Sequence, residues 1–199
     1  MPVPASTVVH PAWLRVSHWI NALAVLVLAT SGWRIYNAAP FFDFRIPNEI
    51  TLGGWLAGAV QWHFAAMWVL AINGGFYLLM NFCTGRAWRK FWPLTPRALL
   101  RDVAAALRGR LVHADPTHYN AVQRAAYLFV WADLALLVLS GLVLWKSVQF
   151  PLLRELLGGY ESARRVHFFA MAALAGFVLV HLVMVALVPR TLVAMLRGR

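Results

Sequence analysis

The chain has 199 residues, of which 61% are hydrophobic and 13% charged, about half the charged share of an ordinary soluble domain. A soluble fold of this size has no interior for so much apolar surface. The net charge of +11 comes from arginines set between long apolar runs, so a membrane protein is favoured and a nucleic-acid partner is not. The single cysteine, Cys83, excludes an internal disulfide, a C-x-x-C-H haem attachment, an iron–sulfur cluster and a cysteine zinc site.

Four segments reach the length of mainly apolar sequence that crosses a bilayer, roughly 14–36, 55–82, 122–145 and 165–188. Lipid offers backbone groups no partners, so each segment is read as a helix. The expected fold class is all-α: an integral membrane four-helix bundle forming one domain over 1–199. The first segment carries Arg15 and His18-Trp19 near its start and Ser31-Gly32 near its end. It lacks a following A-x-A site and is long enough to span, so it is expected to be a retained helix. The second carries His63 and is long enough to tilt or to extend past the hydrocarbon.

Between the second and third segments, Thr95-Pro96 reads as an N-cap with proline at the first helical position. Leu99, Leu100, Val103 and Leu107 then share a face, and Gly109 offers a C-cap. This pattern predicts a short amphipathic helix on the membrane surface; a solvent-facing connector is the alternative at this length. The third segment holds Leu137-Val138-Leu139 before Ser140-Gly141, an echo of Leu26-Val27-Leu28 ahead of Ser31-Gly32. Such small residues admit either a flat cofactor or a close helix neighbour. Asp133, near the middle of this segment, is costly if ionised. It is either protonated, bonded to a neighbour such as Asn73, or part of a proton relay. The fourth segment carries His167 and His181.

Lys and Arg set the expected orientation. Arg15, the loop between the second and third segments, Arg124 at the start of the third and the C-terminal tail together hold 12 of the 18 basic residues. The six on the other side are largely offset by Asp43, Glu49, Glu155 and Glu161. Both termini and the middle loop are therefore expected in the cytoplasm. With this topology His167 is outer and His181 inner, His18 is inner and His63 outer. His167 and His181 are 14 residues apart, nearly four turns, so they share a face at about 21 Å separation.

The four histidines thus form two layers of two. Facing imidazoles across a helical bundle are the axial ligands of a six-coordinate haem b. Zinc or copper would be left under-coordinated by two histidines, with no carboxylate or thiolate at matching depth. The expectation is two haem b groups, the inner on His18 and His181 and the outer on His63 and His167, carrying electrons and not binding oxygen. Arg15 is placed for a propionate of the inner haem. Arg34, Lys146, Arg164 or Arg165 could serve the outer one, with snorkelling or topology-setting charge as the plainer reading of each. Trp13, Trp19, Trp55, Trp88 and Trp92 suit an interfacial belt.

His18-Trp19, Ser31-Gly32, His63 and the His167/His181 pair resemble the bacterial di-haem cytochrome b group, over nearly the whole chain. That group includes the cytochrome b-561 type and the cytochrome b subunits of nickel–iron hydrogenases and formate dehydrogenases. His118 to Gln123 also looks like the tyrosine-asparagine…glutamine stretch that opens the third helix there, beside a cytoplasmic-side quinone site. The resemblance implies residence in the bacterial inner membrane and electron exchange between an outer partner and the quinone pool. Asn120 and Gln123 offer amide donors to quinone carbonyls, and His118 could exchange protons with the cytoplasm. Capping of the third helix is the competing role for these residues.

Three functions follow. The first is an electron-transfer subunit for a periplasmic oxidoreductase, such as a molybdenum enzyme or hydrogenase, docked on the outer loops 37–54 and 147–161. The second is a self-contained superoxide:quinone oxidoreductase of the cytochrome b-561 type. The third is a non-redox binding or transport protein that uses the histidines for metal ions or packing.

Overall fold

The computed structural model describes residues 10–108 and 119–198. Among these residues it is helical throughout its regular structure, in the expected all-α class. The elements are α1 (Ala12–Ala38), a 3-10 turn (Asn48–Ile50), α2 (Leu56–Cys83), α3 (Arg86–Phe91) and α4 (Pro96–Leu107). They continue with α5 (Ala121–Lys146), α6 (Pro151–Leu156), α7 (Tyr160–Leu187) and α8 (Pro189–Arg197). Four of them, α1, α2, α5 and α7, are long and apolar enough to cross a membrane. The expected spans hold to within a few residues. The largest difference is the start of α7, five residues before the hydropathy boundary, because the helix begins at the turn through Gly158 and Gly159, whose φ values are +77° and +92°. Hydropathy registers the lipid-facing part of a helix and misses a polar first turn.

The chain divides into two compact units, residues 1–86 with 190–199, and residues 87–189. The first is built on the α1–α2 hairpin. Ser31, late in α1, meets His63, early in α2, while Ser17 and Asn21, early in α1, meet Asn73, late in α2. That order makes the helices antiparallel. Ser17, Ala24 and Ser31 recur every seven residues and are buried, as are Ala59 and Ala66 on α2. Small side chains at this spacing form a seam through which two backbones approach closely, the usual means of packing helices that lipid gives no hydrophobic reason to associate. Large apolar side chains such as Leu23, Leu26, Ile72 and Leu79 stay exposed, as lipid-facing groups do.

The loop joining the hairpin is packed. The Asn37 amide donates to the Ile46 carbonyl at 2.7 Å and accepts from the Ile46 N–H at 2.9 Å. Tyr36 donates to the Phe44 carbonyl at 3.1 Å. Arg34 donates to Asn48 Oδ1 and to the Gly54 carbonyl. Arg34, Asn37, Ile46 and Asn48 border a cavity of about 550 Å³ that is also lined by Arg45 and Glu49.

The second unit repeats the hairpin with α5 and α7. Ser140 meets His167, and Phe129 meets Phe177 with ring centroids 6.3 Å apart, so these helices are antiparallel as well. Asp133 and Ser140 on α5, and Ala163 and Ala170 on α7, again lie seven apart and buried. The amphipathic helix predicted after Thr95-Pro96 forms as α4. Thr95 Oγ1 accepts from the Ala98 N–H at 3.4 Å, and Leu100 and Val103 are exposed. Gly109, the expected C-cap, lies outside the described residues. Asp102 accepts from the Ala121 N–H, the first donor of α5, at 2.8 Å. Arg124 donates back to the Pro93 carbonyl at 2.6 Å.

Candidate haem site

Each hairpin carries two of the four histidines at opposite ends. In the first unit His63 stands level with Ser31, near the loop, and His18 lies 13 residues earlier on α1, about 20 Å along its axis. In the second, His167 stands level with Ser140, near the loop, and His181 lies 14 residues later on α7, about 21 Å away. Both units thus hold one imidazole near the loop end and one near the far end.

The loop-end imidazoles are held alike. His63 Nδ1 is 3.1 Å from Ser31 Oγ, and His167 Nδ1 is 3.0 Å from Ser140 Oγ. His63 also bonds to the backbone of Leu28. Beside each serine is a glycine. A Cβ on Gly32 would lie 3.4 Å from His63 Cε1, and one on Gly141 would lie 3.4 Å from His167 Cε1. Each ring thus lies within van der Waals reach of the neighbouring helix at its glycine. At the far ends the contacts are aromatic: His18 packs edge-on to Trp19 at 5.4 Å, and His181 stacks on Phe177 at 6.0 Å and 15°. The sequence singled out the Ser-Gly pairs by their recurrence, for their size. Their hydroxyl bonds to histidine are new, and the matched position of the two pairs was the signal that could have found them. Phe177, four residues before His181, was missed.

The supporting residues divide. Arg15 Nη1 donates to the Leu196 carbonyl at 2.6 Å, tying the start of α1 to the end of α8. Asn120 and Gln123 form a capping box: Asn120 Oδ1 accepts from the Gln123 N–H at 2.7 Å, and Gln123 Oε1 from the Asn120 N–H at 3.2 Å. Both side-chain oxygens thus cap α5, the competing role weighed for them. His118 lies outside the described residues. Lys146 sits over the Trp145 ring at 5.0 Å, and Arg164 lies 3.4 Å from Glu161. Asn73 donates to the Ser17 carbonyl at 2.8 Å and to Asn21 Oδ1 at 2.7 Å, so both amide hydrogens are engaged within its own hairpin. Asp133 is 7% exposed, and its Oδ2 has no hydrogen-bond partner.

The donor set suits a haem. An imidazole bonded through Nδ1 presents Nε2 to a metal, the arrangement found when a second group orients a ligating histidine. Among the described residues no group of three or more His, Cys, Asp or Glu is gathered as a bare metal ion would need. An iron porphyrin fills four positions itself and asks the protein for two.

Apolar spanning helices and oriented histidines in each hairpin define a membrane cytochrome of the b type. The chain belongs to the prokaryotic cytochrome b561 family, whose model matches residues 9–198. It is 67% identical over 190 residues to a putative protein-methionine-sulfoxide reductase subunit, YedZ1, of Azospira oryzae, covering 96% of each chain. It is 26% identical to a probable Ni/Fe-hydrogenase B-type cytochrome subunit of Cupriavidus necator, over 88% of this chain and 77% of that one. A protein of the same description from Rhodobacter capsulatus is 25% identical, over 89% of this chain and 72% of the other. No solved structure matches. The chain is therefore a multi-pass membrane protein of haem b electron transfer, and its relatives are subunits of oxidoreductases.

Proposed function

We propose that this chain is a di-haem b conduit of the bacterial inner membrane, moving electrons between the quinone pool on the cytoplasmic side and a periplasmic oxidoreductase subunit. His18 and His181 hold the inner haem, and His63 and His167 the outer. The observation that carries this reading is the two-level placement of histidines in both hairpins, about 20 Å apart in each. That separation covers most of a hydrocarbon core about 30 Å thick. Haem held by these paired histidines would supply one-electron carriage, and the pairs would leave no place for oxygen. Arg15 stands three residues from His18, where its remaining guanidinium nitrogens suit a propionate. Asn120, Gln123 and His118 mark the quinone end. The basic middle loop and tail support cytoplasmic termini.

The name carried by the 67% relative favours a protein-methionine-sulfoxide reductase as partner over a hydrogenase. Electrons would then leave the quinone pool for the periplasm. The test is a redox difference spectrum of purified wild type and of His181→Ala. Wild type is expected to show two low-spin haem b groups per chain. The variant is expected to lose the inner haem and quinone-dependent reduction while the outer haem stays reducible. Loss of both haems from a folded variant contradicts the pairing. A wild type that copurifies with no partner and reduces quinone with superoxide contradicts the subunit role.

A further inference from the structure

We propose that Ser31 and Ser140 are positioning residues that set the tautomer and the donor strength of the two outer haem ligands, His63 and His167. The inference rests on those histidines being ligands and adds what makes them suitable ones.

A hydroxyl has one hydrogen to give and lone pairs to receive. Ser31 Oγ lies 2.6 Å from the Val27 carbonyl, four residues back on its own helix, and Ser140 Oγ lies 2.6 Å from the Leu136 carbonyl, also four back. Carbonyl oxygens only accept, so the serine hydrogen is spent there. The contact from Oγ to histidine, 3.1 Å in one hairpin and 3.0 Å in the other, then has one workable polarity: Nδ1–H donates and Oγ accepts. The proton sits on Nδ1, and the lone pair needed for iron sits on Nε2. The carbonyl at i−4 thus passes a preference through the hydroxyl to the far side of the imidazole.

Packing alone does not account for these hydroxyls. Alanine meets the need for a small residue at Ala24, Ala59 and Ala66. Ser17 shows what a serine kept for size looks like: it is 1% exposed, and its Oγ has no partner. Ser31 and Ser140, both fully buried, each reach a histidine instead, and each is followed by a glycine against the same edge of the ring. The arrangement occurs once in each unit, so it does not depend on how the units meet.

An acceptor on Nδ1–H raises the electron density that the ring gives to iron and favours the ferric form; second-sphere hydrogen bonding is one of the protein's main controls on haem potential. Removing the acceptor makes the outer haem easier to reduce, and Ser140 gives the larger effect, because His63 keeps the Leu28 backbone as a partner when Ser31 is lost. The experiment is potentiometric titration of the haem absorbance bands in purified Ser31→Ala and Ser140→Ala, with Ser140→Thr as the conservative variant that keeps a hydroxyl. At a fixed potential Ser140→Ala is expected to raise the reduced-to-oxidised ratio of one haem about tenfold, equal to about 59 mV for a one-electron couple, and Ser31→Ala to raise it by less. The other haem stays in place, and the threonine variant returns towards wild type. Full haem content with unmoved midpoints in both alanine variants overturns the proposal while leaving the ligand assignment standing. His63→Ala and His167→Ala separate the two failures. If either retains both haems, the ligand assignment falls and this inference falls with it.

Discussion

The histidines show how much chemistry one side chain borrows from the next. His63 and His167 are oriented by a serine hydroxyl and a glycine, and His181 by the ring of Phe177 one turn away. Asp133 is the contrast. It lies seven residues before Ser140, on the same seam of α5, and its Oδ2 is buried without a partner. In the first hairpin the same place, seven before Ser31, is Ala24. A buried polar group left unsatisfied costs about 1–3 kcal/mol. Asp133→Ala is therefore expected to raise the thermal midpoint, by about 2–4 °C for each kcal/mol recovered. A fall measured by scanning fluorimetry in detergent would mean that this carboxyl holds something the seam needs.

Among the elements, the repeat of the hairpin is the main finding, and it is exact at only one level. His63 to Tyr77 spans 14 residues, as does His167 to His181, and Ser31 stands 13 after His18 as Ser140 stands 13 after Tyr127. Tyrosines occupy the far-end places that the other hairpin gives to histidine. The spans and the amphipathic α4 were legible because each rests on the residue pattern within one segment. The short helices α3 and α6 were not, since neither is long enough to show a period; α8 was missed although Leu192, Val193 and Leu196 fall on one face. Nor were the serine bonds, which depend on the register between two helices. The tie from α4 to α5 was hidden for the same reason. The Ala121 N–H holds the Asp102 carboxyl below the usual carboxylate range, with Arg101 adding to the effect. A group whose pKa is lowered by folding contributes stability above its unfolded value, and this is lost as pH falls through the folded one. Asp102→Ala is expected to lower the midpoint at pH 7 by about 2–4 °C, for a bond of about 1 kcal/mol. The gap from wild type should narrow below about pH 4. A gap that is constant with pH would assign the loss to packing.

For the whole molecule, charge places what hydropathy cannot. The spans fix the number of crossings, but only the excess of Lys and Arg around the middle loop and tail gives a direction. Cys83, the last residue of α2, is exposed and is the only cysteine in the chain. It therefore reports the side of the middle loop without further engineering. A membrane-impermeant maleimide is expected to label it in inverted inner-membrane vesicles and to leave it unlabelled in right-side-out spheroplasts. The opposite pattern would reverse the assignment of inner and outer histidines throughout.

The loop after α1 carries a consequence of its own. Asn37 treats Ile46 as a neighbouring strand would, taking its N–H and satisfying its carbonyl, while Arg34 braces the same turn from Asn48 to Gly54. A segment shaped in advance spends little conformational entropy when another protein seats on it. If the proposed redox partner seats here, that saving strengthens the contact, as suits a subunit that stays attached.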